Sequence, residues 1–143
     1  MTDVEARRFL NSIREQDKEL EKKLVQIAEL RSAVENCTSK LDKDGSQMSK
    51  GGDKLSNLMC KILDLEKECE NLRINADWTL KTVKSILDDL TQVRHKDYLM
   101  LRFVERNGIF ETAMKMDVSD STAKRIDKKA VSEFAKIYTK RQI

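Results

Sequence analysis

Apolar residues return every seven positions along residues 3–90. Ala6, Ile13, Leu20, Ile27, Val34 and Leu41 form one series, flanked at three or four residues by Leu10, Leu24, Leu30 and Cys37. Leu55, Ile62, Cys69, Ala76, Val83 and Leu90 form a second, with Leu58, Leu65, Leu72 and Ile86 beside it and Thr79 as the one polar exception. A sustained heptad predicts a helix that buries one stripe against another helix. Three of the four glycines (Gly45, Gly51 and Gly52) fall in the stretch between the two series. The pattern therefore predicts an antiparallel hairpin over residues 1–92 with its loop at about 44–52. Each arm is about 55–60 Å long at about 1.5 Å per residue. A loop centred near Met48 pairs Val34 with Ile62 and Leu41 with Leu55, and brings Cys37 near Met59 and Cys60. Such a hairpin is expected to stay folded without residues 91–143.

Past residue 92 the seven-residue period stops and shorter helical patterns begin. Residues 97–106 read as a helix with Tyr98, Leu101, Phe103 and Val104 inward, and Asn107-Gly108 ends it. Residues 109–116 read as a helix of about two turns. Asp117-Val118 makes a tight break, Ser119 has N-cap character, and a last helix runs from about Asp120 to the end. This order is that of a helix-turn-helix domain over residues 93–143. Ala113 is small where two helices cross, and Val118 can plug the core between them. Ala123, Ile126, Ala130, Val131 and Phe134 form the apolar stripe of the last helix. The fold class is all-α: a long antiparallel helical hairpin, or coiled coil, followed by a helix-turn-helix domain.

Charge separates the two parts. The chain carries 28 Lys+Arg and 25 Asp+Glu, a net charge of +3, and 37% of its residues are charged. Residues 1–43 balance nine basic against nine acidic residues, and residues 53–90 carry six against eight. Residues 91–143 carry twelve against seven. The excess positive charge is thus in the last third, the asymmetry expected when one end meets a polyanion. Ser119, Ser121, Thr122, Lys124, Arg125, Lys128 and Lys129 are the candidate DNA-binding residues. Lys124 and Arg125 sit where side chains can reach base edges, and Lys128 and Lys129 lie a turn later, where phosphates are the expected partners.

Composition removes other classes. Proline is absent and aromatics are 5%, which argues against a β fold. The longest apolar run, Tyr98–Leu101, is far short of the roughly 20 residues of a membrane span. Cys37, Cys60, Cys69 and His95 are too scattered for a structural zinc site, and the cysteines are expected to be reduced. No metal, cofactor or small-molecule substrate is expected. An enzyme has least support: there is no nucleophile–base pair and no phosphate loop, and His95 reads as a surface residue. The protein is expected in the cytoplasm.

The same residues resemble a family. Tyr98–Glu105 (YLMLRFVE), Thr112-Ala113, Met116–Ser119 (MDVS), Ala123–Ile126 (AKRI) and Lys129-Ala130 are similar to sigma factor region 4. They look more closely like the sigma-region-4-like late transcription regulators of phages and prophages, the ArpU/RinA type. Some of these also carry a helical hairpin with a tip similar to Ser49–Lys54 (SKGGDK). The chain departs from the pattern at Gly108 for Ser, Ile109 for Trp, Thr112 for Ile, Asp117 for Gly and Ser121 for Arg. The resemblance implies a phage or prophage transcription regulator in a bacterial host. It would read the major groove of double-stranded DNA with the helix starting near Ser119. RNA polymerase contact and homodimerisation are further implications. The alternative from the residues alone is a structural or scaffolding coiled-coil protein whose basic C-terminus binds nucleic acid loosely.

Overall fold

In a computed structural model, helix is the regular secondary structure of the described residues, with no strand among them. The structure describes the backbone of residues 1–43 and 48–142, and the side chains of residues 1–38 and 53–142. Two long helices come first, α1 (Asp3–Lys43) and α2 (Met48–Asp88). Then follow α3 (Val93–Leu99), which continues into a π-helical segment (Met100–Val104), α4 (Ile109–Lys115) and α5 (Asp120–Arg141). Among the described residues, no helix is long and apolar enough to cross a membrane. Residues 48–52, expected in the loop, are helical. The rest of that loop and the Leu41–Leu55 pairing involve positions outside the described residues or side chains.

The chain divides into two compact units. One is Asp17–Asn75, and the other joins Met1–Gln16 to Ala76–Ile143. In the first unit the heptads do what their spacing demands. Ile27, Ile62 and Cys69 are buried, with Leu20, Leu30, Val34 and Leu65 packed on them. Lys23 Nζ reaches Glu68 Oε2 at 2.7 Å and Arg31 Nη2 reaches Glu66 Oε1 at 2.7 Å. Partner numbers fall on α2 as they rise on α1, the antiparallel sense. Leu24, expected to flank the seam, is instead 42% exposed. The three cysteines are free.

The second unit holds the larger core, and it is one core. Ala6, Leu10 and Ile13 of α1 and Val83, Ile86 and Leu87 of α2 are buried together with Tyr98, Leu99, Phe103, Ala113 and the apolar stripe of α5. Phe9 stacks on Phe134 and Tyr138 of α5 at ring-centre distances of 6.2 and 5.5 Å. The division expected at residues 92/93 is therefore a break between helices and not between cores. A segment of about 50 residues buries a small share of its surface and is marginal alone. Here the ends of the two long helices supply the missing side.

The π-helical segment changes which residues face inward. Glu105 N–H bonds to the Met100 carbonyl five residues back, at 2.9 Å. A five-residue step aligns Tyr98 with Phe103 and Leu99 with Val104, and all four are buried. The α-helical period expected over residues 97–106 placed Leu101 inside and missed Leu99. Leu101 is only half-buried. The chain then turns at Arg106, with φ 62°, one residue before the expected stop. Asn107 is buried, and its Nδ2 and backbone N–H both donate to the Leu101 carbonyl, at 2.9 and 3.2 Å. Its Oδ1 accepts from Lys115 Nζ at 3.0 Å, which ties the turn to the end of the next helix.

Leu10→Ala tests the shared core. Leu10 is fully buried, so truncation should destabilise the unit by about 2–5 kcal/mol. Chemical denaturation followed on α5 amides by NMR should report that loss, although Leu10 is more than a hundred residues away. A free fragment of residues 93–143 should lack dispersed amide resonances. If the fragment folds by itself, the shared core is not required.

Candidate nucleic-acid interface

The connection between α4 and α5 is fixed by backbone chemistry. Asp117 takes φ 56°, just past the end of α4. Asp117 N–H then bonds to the Met114 carbonyl at 3.1 Å, and Val118 N–H to the Ala113 carbonyl at 3.0 Å. These are the two hydrogen bonds of a Schellman ending, which satisfies carbonyls a helix would leave free. Val118 packs against the core beside it. Ser119 caps α5: its Oγ accepts from Thr122 N–H at 3.2 Å and donates to Thr122 Oγ1 at 2.9 Å. Ala113 and Ala123 are buried where α4 and α5 pack. Thr112 is also buried, and its hydroxyl donates to the Gly108 carbonyl at 2.8 Å.

Every residue read from the sequence as the inner stripe of α5 is buried: Ala123, Ile126, Ala130, Val131 and Phe134. The expected DNA-facing set lies on the other side. Ser119, Ser121, Lys124, Arg125, Lys128 and Lys129 are exposed, and Thr122 is half-buried. The Ser119 hydroxyl is spent on Thr122, so Ser119 is a cap residue first. Lys124, Arg125, Lys128 and Lys129 make no ion pair among the described residues. Lys136 and Lys140 also lie on this helix and carry positive charge toward its end, beyond the expected DNA-facing set. Phe110 and Met114, one turn apart on α4, are exposed beside it.

Three polar ties hold the inner side of α5. The first is at Asp127, which sits on the apolar stripe and is buried. It accepts from Tyr98 Oη at 2.6 Å and pairs with the Arg7 guanidinium. Burial, then the Asp127 hydrogen bond, pushes the Tyr98 phenol well above its ordinary value, so it remains a donor. The second tie is Glu133. Its Oε1 accepts from Thr91 N–H and Oγ1 at 3.1 and 2.9 Å, and its Oε2 lies 2.6 Å from His95 Nδ1. Burial opposes its ionisation, but the hydrogen bonds from His95 and Thr91 outweigh that and hold the carboxyl below its ordinary value. His95, read as a surface residue, is in fact buried. The third tie is Arg141, which pairs with Asp89 and bonds to Ser85 Oγ at 2.8 Å. A residue of opposite polarity inside a 3.6-residue stripe marks Asp127 from sequence alone. Nothing in the sequence points to Arg7, 120 residues away.

Among the described residues no three His, Cys, Asp or Glu side chains cluster to hold a metal ion. What the face offers is hydrogen-bond donors and positive charge on a rigid helix.

Two measurements probe these ties. Asp127→Ala strands the buried Tyr98 hydroxyl, while the partly exposed Arg7 can rehydrate. The loss should be about 1–3 kcal/mol, and adding Tyr98→Phe should cost less than the sum of the two single changes. For Glu133 the sign follows from its depressed value. Its contribution to stability is complete above the ordinary glutamate value of 4.5 and is lost as pH falls below it. Thermal melts should therefore show wild type losing more stability between about pH 5 and pH 3 than Glu133→Gln. Equal acid sensitivity would remove Glu133 from the account.

No protein-family model, curated protein or solved structure matches the chain.

Proposed function

We propose that the protein is a DNA-binding transcription regulator. In this reading α4, the turn at Asp117-Val118 and α5 form a helix-turn-helix whose second helix lies in the major groove of double-stranded DNA. The observation that carries it is the row of four cations, Lys124, Arg125, Lys128 and Lys129, exposed on α5 with no carboxylate paired to them among the described residues. Cations left without carboxylates on one rigid face favour a polyanionic partner, because a solvated helix face ordinarily mixes signs. Lys124 and Arg125, near the helix start, meet base edges in this reading. Arg can grip guanine O6 and N7 with two hydrogen bonds. Lys128 and Lys129 meet phosphates, and Asp127 keeps the helix in register from behind. The resemblance of Tyr98–Glu105, Met116–Ser119 and Ala123–Ile126 to sigma-region-4-like regulators of phages and prophages supports the same reading. It adds RNA polymerase as a further partner.

Arg125→Ala and Lys129→Ala separate base reading from charge. On a site mapped by selection from genomic fragments, Arg125→Ala should lower specific affinity about 5- to 150-fold and leave non-specific binding nearly unchanged. Lys129→Ala should weaken both and reduce the salt slope by about one unit. Neither should shift the melting temperature by much, since both side chains are exposed. If both variants bind like wild type across a salt series, α5 does not enter the groove. The scaffolding reading, with a loosely binding basic end, then replaces this one.

A further inference from the structure

In the unit formed by Asp17–Asn75, α2 carries a second face that its heptad does not use. Ile62, Cys69 and Leu65 turn toward α1. Met59, Leu63 and Ile74 do not, and they are 46, 54 and 58% exposed. Lys67 and Glu70 lie between them, both exposed and making no ion pair among the described residues. At 3.6 residues per turn, positions 59, 63, 67, 70 and 74 fall within roughly 80° of one another on the helix. They form a single stripe about 22 Å long.

Single exposed apolar residues are ordinary on a protein surface. The order of this stripe is not arbitrary, because turned end to end it is complementary to itself. Lay α2 antiparallel on a second α2 with a two-fold axis passing between residues 68 and 69. Leu63 then faces Ile74 of the other copy, and Lys67 faces Glu70. By symmetry Ile74 faces Leu63, and Glu70 faces Lys67. Met59 extends the apolar contact one turn outward. Two apolar pairs flank two opposite-charge pairs, with no like charges opposed.

From this self-complementarity we infer that the outward face of α2, residues 59–74, is the docking surface for a second copy of this chain. Such an isologous contact is the commonest way a protein forms a dimer. Charge pairs at its centre set the register, and the apolar pairs supply the burial. A contact of this length is small, so the dimer dissociates with a Kd on the order of 10 µM. The inference is independent of DNA binding and uses no residue of α5.

The test is sedimentation equilibrium of the full chain without DNA. Wild type should move from monomer to twice the chain mass as concentration rises through the micromolar range. Lys67→Glu sets two carboxylates against each other at both central pairs of its own dimer, and Glu70→Lys sets two ammonium groups against each other there. Each alone should weaken self-association by about ten-fold or more. Mixed in equal amounts, the two variants face each other with opposite charges at both central pairs. They should then associate nearly as tightly as wild type. Both substituted positions are exposed, so far-UV circular dichroism should stay unchanged. A wild type that remains monomeric to about 300 µM overturns the inference. So do single variants that dimerise like wild type, or a mixture no tighter than its components.

Discussion

The carboxylate of Asp127 sits inside the protein on a helix whose outer surface is crowded with cations. A buried carboxylate is tolerated only when it is paired and hydrogen-bonded. Tyr98 supplies the hydrogen bond from α3, and Arg7 supplies the charge from the second turn of α1. That requirement fixes three helices relative to one another in a single unit. It also fixes the rotation of α5, because turning Asp127 inward turns Lys124, Arg125, Lys128 and Lys129 outward. Glu133 and Arg141 repeat the arrangement further along the helix, tying it to the start of α3 and to the end of α2. The basic face is thus presented by the core behind it and not by a loop.

The parts of this design that depend on local spacing are legible in the sequence. The heptads place Ile27, Ile62 and Cys69 inside, and the three- and four-residue steps place Ala123 to Phe134 inside. The cap at Ser119 and the break at Asp117-Val118 follow from residue chemistry at helix ends. The parts that fail do so for identifiable reasons. A π-helical segment changes the period directly after α3, so Leu99 replaces Leu101 in the core. The turn that follows uses Arg106 in a left-handed conformation, for which the sequence offers no special residue. Above all, seven-residue spacing shows that Ala6, Leu10 and Ile13 are buried, but not by what. Their partners include α3 and α5, far along the chain, and His95 is buried for the same reason.

The candidate interface was legible as a set of residues and not as a geometry. Lys124, Arg125, Lys128 and Lys129 share the face their spacing predicts. Ser119 serves the helix start before it can serve a ligand, because its hydroxyl accepts from Thr122 N–H and donates to Thr122 Oγ1. The opposite case is α2, where Lys67 and Glu70 interrupt the apolar residues, so the stripe reads as ordinary solvated surface. Only its exposure, together with the inner seam already satisfied by α1, sets Met59, Leu63 and Ile74 apart. A long helical pair of this kind buries one stripe per helix and leaves the remainder free for another partner.

The central claim is that the start of α1 and the whole of α5 belong to one cooperative core. Native-state hydrogen exchange on the full chain tests it most directly, because it reports the opening free energy of each amide. Amides of Ala6–Ile13 and of Ala123–Ala135 should open together, with one shared free energy that denaturant lowers in parallel. Exchange at Ala6–Ile13 as fast as in a frayed helix end, with α5 still protected, would contradict it.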